Sequence, residues 1–314
     1  MQFAPSNRRL NAYGATVAVV LLASSAPAVT RLSLTHHLGP LDLVLLRCGI
    51  GGLVFLPFLL IHWRQLPRKL AVTGLALAFL HGWGMHLTAI AGLQFSPASH
   101  ASALGPGFLP VWVMLWRRLG YGAAPDWRQT LGLALIAMGA LMLLGYSSWT
   151  SFENRIWIGD LFFLLSSALA AAYLVYVQQH EVDPMQAAAL VAVYSGIVGG
   201  LLLLASPASS ALWTAPASEV LAQAIFQGLG MGACAVLLAS YATRQLGSQR
   251  VAVFFAAIPV LSMFLGRAIV GDGIHPHEAM AVVLVSSGIL IASVLAGIDP
   301  AKSAPFSRNN RIQS

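Results

Sequence analysis

Charge is scarce in this sequence. Asp, Glu, Lys and Arg together make up 9% of its 314 residues, against about 25% in ordinary soluble domains. That is too little to cover a water-facing surface. With 58% hydrophobic residues and a mean hydropathy of +0.77, a soluble globular fold is excluded. Cysteine is nearly absent: Cys48 and Cys234 each lie inside an apolar run, without CxxC or Cys/His spacing. No zinc site or disulfide framework is expected from that pattern, only two small buried thiols. Catalytic signatures are missing as well, with no GxSxG, no HExxH and no aspartate-rich motif. Ser99 and His100 adjoin, but on a helix they point about 100° apart and make no ready dyad. No enzyme, cofactor or metal is expected. Nor does a ring of like charges or a filter loop mark a channel.

What the chain does have is apolar runs of membrane-spanning length. A span needs about 20 such residues. Gly, Pro and charge punctuation delimits ten, at 11–30, 41–61, 71–91, 98–116, 128–146, 157–177, 186–205, 219–240, 251–270 and 277–296. The expected fold is an all-α integral membrane protein of ten transmembrane helices. Short loops leave no room for a soluble domain. Arg8 and Arg9 before a stretch ending in ASSAPA resemble a signal peptide, but the many later spans favour a retained first helix. The net charge of +7 and pI near 9.9 reflect loop placement, not nucleic-acid binding. With the N-terminus inside, thirteen Lys and Arg fall on cytoplasmic segments, and only Arg31 and Arg155 fall outside. That bias places both termini in the cytoplasm of the cell (inner) membrane and requires an even number of spans.

An internal repeat adds to this. Residues 98–145 align without a gap to 247–294 at an offset of 149. Pro110 then meets Pro259, Met114 meets Met263, Arg118 meets Arg267, Gly122 meets Gly271 and Gly139 meets Gly288. The implied units are residues 1–147 and 148–298, followed by a cytoplasmic tail at 299–314 without expected order. Five spans per unit invert the second against the first. Such a protein has two related arrangements, one open to each side of the membrane.

The sequence resembles the EamA-type transporters of the drug/metabolite transporter superfamily. The resemblance is carried by TRLSL with LDLVLLRCGIGGL, by AIAGLQFSPASHASAL to FLPVW, by GDLFFLLSSALAAAYLVY, and by ASYATRQLGSQRVAVFFAAIPVLSMFLGRAIVGDGIHPHEAMAVVLVSSGILI. It covers nearly the whole chain. Family members commonly have Gly-Glu after spans 4 and 9; here Gly122-Ala123 and Gly271-Asp272 stand there. The resemblance implies a central cavity lined mainly by spans 3, 4, 8 and 9.

Those spans hold the unusual polar residues. The substrate-binding candidates are His81, Trp83, His86, Ser99, His100, Gln227 and Tyr241. His81 and His86 lie about 140° apart on a helix and cannot both face one groove squarely. Ionisable groups inside a membrane usually face a cavity or a partner, and histidine can exchange a proton near neutrality. A neutral histidine bonded to a neighbouring helix is the plainer reading, and packing is the plainer reading of Trp83. Pro110 and Pro259 are hinge candidates, because each frees a backbone carbonyl four residues earlier; a static kink is the alternative. Arg47 and Asp160 are the intramembrane charges, and a fixed ion pair between them is geometrically possible. Arg47 could instead attract a substrate carboxylate or phosphate. Arg267 is expected to pair with Asp272 at the external rim.

The function expected is a secondary transporter. It would move a small metabolite, an amino acid or related compound, outward by alternating access. An uncoupled facilitator or channel is the alternative, and a membrane-embedded enzyme is more remote. The partners expected are a small-molecule substrate, the lipid bilayer and a coupling proton carried by histidine.

Overall fold

The computed structural model describes residues 5–122, 124–150, 155–205 and 210–295. The tail at 299–314, with Lys302, Arg308 and Arg311, and the first-half position Ala123 lie outside them. All the regular structure described is helical. Among the described residues, nine helical stretches are long and apolar enough to cross a membrane, by length and composition. They begin with α1 (Pro5–Leu34) and α2 (Pro40–His62). The third is α3 (Arg68–His81) with α4 (Trp83–Gly92). The expected fourth span is a pair of shorter pieces, α5 (Ala98–Leu104) and α6 (Leu109–Tyr121). Then come α7 (Trp127–Thr150), α8 (Ile156–Gln179) and α9 (Pro184–Ala205). The eighth span joins α10 (Ala217–Gln223) to α11 (Ala235–Leu246) through a π-helical segment at Ala224–Cys234. The ninth is α12 (Ser248–Phe255) with α13 (Ile258–Ile269), and α14 (Pro276–Leu295) closes the order.

Lipid offers backbone groups no hydrogen bonds, so each break inside a span must be resatisfied by the protein. At the α5–α6 break, Gly105-Pro106-Gly107 interrupts the helix, and Ser167 of α8 donates 2.7 Å to the Gly105 carbonyl. Pro110 then occupies the first turn of α6, as Pro259 does in α13. There the missing N–H has no helical acceptor to lose. Both prolines thus start a helical piece rather than kink a continuous one. The third span breaks at Gly82, where a Cβ would run into Ser195 of α9.

The arrangement of neighbours shows the two-fold relation between the repeats. Span 2 packs on span 7 (α2 on α9), and span 5 on span 10 (α7 on α14). Span 1 lies against spans 8 and 9 (α11 and α13), while span 6 lies against spans 3 and 4 (α4 and α6). Exchanging each span for the one five later leaves this pattern unchanged. Single residues repeat it. A Cβ on Gly139 would sit 2.7 Å from the Ala281 carbonyl, and one on Gly288 would sit 2.6 Å from the Gly132 carbonyl. Shifted by the 149-residue offset, Gly132 becomes Ala281 and Gly139 becomes Gly288, so the two contacts are mates. Gly122 and Gly271, also matched by the offset, both have positive φ, 67° and 84°, at or just beyond the ends of α6 and α13. A left-handed turn there terminates a helix at little cost only for glycine.

Candidate functional site

Arg47 lies in α2, about two turns in from its Pro40 start. Guanidinium in such a place needs acceptors. The side chain finds two neutral ones. Its Nε donates to Gln227 Oε1 at 2.9 Å, one Nη donates to the same oxygen, and the other Nη lies 3.3 Å from His86 Nδ1. Gln227 is fully buried in the π-helical segment, and its amide donates 2.7 Å to Thr30 Oγ1 of α1. Gly232, one turn along the same segment, lies so close to α2 that a Cβ would touch the Arg47 carbonyl at 2.5 Å. Spans 1, 2, 3 and 8 thus converge on one cation.

Arg47 and His86 stand in the wall of a cavity of about 640 Å³. Its remaining wall is mostly apolar, with Val19, Phe55, Met85, Met185 and Met231 among the lining residues. His81 also lines it, stacked on Tyr173 with ring centroids 4.3 Å apart and planes 2° from parallel. Exposed residues Asp183, Pro184, Thr243 and Arg244, at the ends of α9 and α11, mark where it opens. From Gly232 to Arg244 the wall runs about 18 Å along span 8 at 1.5 Å per residue.

The opposite end of the molecule is tied shut by polar contacts between spans. Arg31 of α1 pairs with Asp272, whose other oxygen accepts from the Ala98 backbone N–H at 3.1 Å. Glu219 accepts from His37 Nδ1 at 2.8 Å and from Ser33 at 3.2 Å. Asp42 accepts from Ser210 at 2.6 Å. The most deeply buried group joins α5 to α8 and α14. Asp160 accepts from His100 Nδ1 at 2.8 Å and from Ser96 at 2.7 Å, and His100 Nε2 lies 3.8 Å from Glu278 Oε1. Fewer polar side-chain ties join spans at the open end, among them Thr73 with Tyr176 at 3.3 Å and Tyr194 with the Ala71 carbonyl at 3.1 Å. Among the described residues, no group of His, Cys, Asp and Glu is disposed to hold a metal ion.

The structure brings together part of the residue set singled out in the sequence. His81 and His86 line the cavity, and Gln227 sits directly behind Arg47. Both histidines reach it, despite their angular separation, because the helix breaks between them at Gly82. Trp83 is half-buried, edge-on to Phe79 at 4.9 Å, outside the cavity wall. Ser99 and His100 are buried at the closed end, and span 4 contributes nothing to the lining. Tyr241 points outward, its hydroxyl 3.4 Å from the Arg8 carbonyl. The cavity is walled by spans 1, 2, 3, 6, 7, 8 and 9 rather than mainly by 3, 4, 8 and 9. The charge pairing also differs from expectation. Arg47 meets Gln227 and His86, while Asp160 meets His100 and Ser96. Arg267 is exposed and donates to the Gly271 carbonyl at 3.4 Å, leaving Asp272 to Arg31. Sequence reasoning missed Thr30, Tyr173 and Glu278. Only a polar group inside or at the end of an apolar run could have flagged them.

The profile described as the EamA-like transporter family matches the chain twice in tandem, over residues 11–145 and 157–294. No curated protein matches. A solved crystal structure of a protein, 20% identical, superposes with a TM-score of 0.58 over 93% of this chain and 100% of that one. At that identity the likeness speaks for the fold alone.

Proposed function

The chain belongs to the EamA-like transporter family, and from that premise we propose that it is a secondary carrier working by alternating access. It is a multi-pass membrane transporter; the proposal concerns what it moves and how. One observation carries the reading: the cavity is open at one end, and the opposite end is closed by paired charges from both repeats. The Lys and Arg bias supports an open end facing the cytoplasm, with both termini on that side of the inner membrane. In this arrangement the carrier is ready to take a solute from the cell. Exchanging the roles of the two repeats, residues 1–147 and 148–298, opens the other end. Pro110 and Pro259 begin the movable pieces of spans 4 and 9 and serve as matched hinges. The cargo is a small metabolite of the amino-acid or related kind, moved outward, with His81 and His86 facing it. A channel fits less well, because a closed end stitched by buried charges interrupts any continuous pore.

Counterflow in proteoliposomes tests this. Vesicles are preloaded with unlabelled amino acids, related organic acids or nucleosides, and labelled counterparts are added outside, with and without a pH gradient. A carrier gives saturable, transient accumulation of one class. Folded protein that gives no exchange across the panel, or a non-saturating leak, overturns the proposal.

A further inference from the structure

The charge in the cavity wall specifies the charge of its ligand. We propose that the cavity binds amphipathic organic monoanions, with the carboxylate or equivalent anion on Arg47 and an apolar, ring-sized body in the wider space beyond. This rests on the carrier reading and narrows its cargo from amino acids in general to their relatives without an amine.

Arginine stays charged at any physiological pH. Among the described residues Arg47 takes part in no ion pair, whereas Arg31 at the closed end has Asp272. A cation removed from bulk water and left without a counter-charge is costly, and an anionic ligand offsets that cost. The guanidinium also has capacity to spare. Of its five N–H groups, Gln227 takes two and His86 faces a third. One N–H on each terminal nitrogen remains, the pair that a carboxylate grips with both oxygens. Gln227, fixed by Thr30, and His86 hold the plane of the fork.

The rest of the wall limits what else the ligand contains. Among the described residues the one carboxylate in the lining, Asp183, sits at the mouth, as does Arg244, so an ammonium group near Arg47 would meet no carboxylate and the same positive charge. That disfavours amines and zwitterions. One deep cation is too few for a polyanion. Ser195 is already turned to the Ala78 carbonyl at 3.4 Å, and Ser240 and Thr243 lie toward the mouth, which leaves little for a polyhydroxylated ligand. Methionines shape an adaptable apolar surface, and Tyr173 with His81 offers a flat one. A volume of about 640 Å³ lies within the usual range for small-molecule pockets.

Equilibrium binding to the full chain in nanodiscs tests the proposal without requiring transport. Four probes share one phenyl body: phenylacetate, its neutral amide phenylacetamide, zwitterionic phenylalanine and cationic phenethylamine. Phenylacetate is expected to bind about tenfold or more tighter than each of the others, as charge-assisted hydrogen bonds to arginine require. In folded Arg47→Gln the preference for phenylacetate over phenylacetamide should shrink to within about twofold. Should that variant fail to fold, the wild-type probe series decides alone. Equal or tighter binding of phenylalanine, phenethylamine or the amide overturns the proposal, as does an unchanged preference in Arg47→Gln. Anion binding without counterflow would remove the carrier reading and leave this one; saturable counterflow confined to amines or neutral solutes would do the reverse.

Discussion

Two intramembrane charges, treated differently by the fold, separate residues that hold the molecule together from those that face a ligand. Arg47 has neutral acceptors and an open cavity in front of it. Asp160 is fully buried and engaged by His100 and Ser96. Removing one member of a buried charged pair typically costs about 3–5 kcal/mol, while replacing both by apolar groups costs much less. Asp160→Leu should therefore lower the Tm of the purified protein sharply, and Asp160→Leu with His100→Leu should recover part of the loss. A double variant no more stable than Asp160→Leu would show that the pair is not what joins α5 to α8. The sequence marked Asp160 and His100 as unusual but gave no means of pairing them. Their meeting depends on the rotation of a seven-residue helix, α5, to which hydropathy is blind.

At the scale of elements, the breaks within spans matter as much as the spans. The Gly105-Pro106-Gly107 run announces its break in the sequence. The break at Gly82 does not, and the residue that fills the space a Cβ there would need is Ser195, more than a hundred residues away. The π-helical stretch that presents Gln227 is equally silent, since a change of hydrogen-bond register leaves no hydropathy signal. The glycines of the α7–α14 contact were legible through the repeat. Gly139→Ala and Gly288→Ala each place a Cβ against a facing backbone carbonyl, and overpacking of that kind costs about 1–3 kcal/mol. Both should lower Tm by similar amounts, as mates in a two-fold contact. Gly145→Ala, on the same helix with nothing within 4 Å, serves as the control and should leave Tm unchanged or slightly raised. A drop for Gly145→Ala as large as for Gly139→Ala would contradict the assignment.

For the whole molecule, the spans, the five-plus-five division and the family were all readable, because bilayer thickness and a tandem repeat impose long-range regularity on the sequence. The cavity wall was not, because which face of each helix turns inward depends on helix rotation and on which spans pair across the repeats. Spans 2 and 7 supply much of that wall, and apart from Arg47 their apolar runs give no hint of it. Alternating access requires that the end now closed open for cargo to pass. At that end a Cβ on Gly266 of α13 would lie 3.1 Å from Ala98 Cβ of α5, so a small separation of the two helices brings the pair to the roughly 3.5–4.5 Å a disulfide spans. The deciding measurement is counterflow by Ala98→Cys/Gly266→Cys, in a background where Cys48 and Cys234 are alanine, before and after oxidation. Exchange should be present in the reduced protein, be lost as the crosslink forms, and return with reductant. Undiminished exchange by fully crosslinked protein would contradict alternating access through this end.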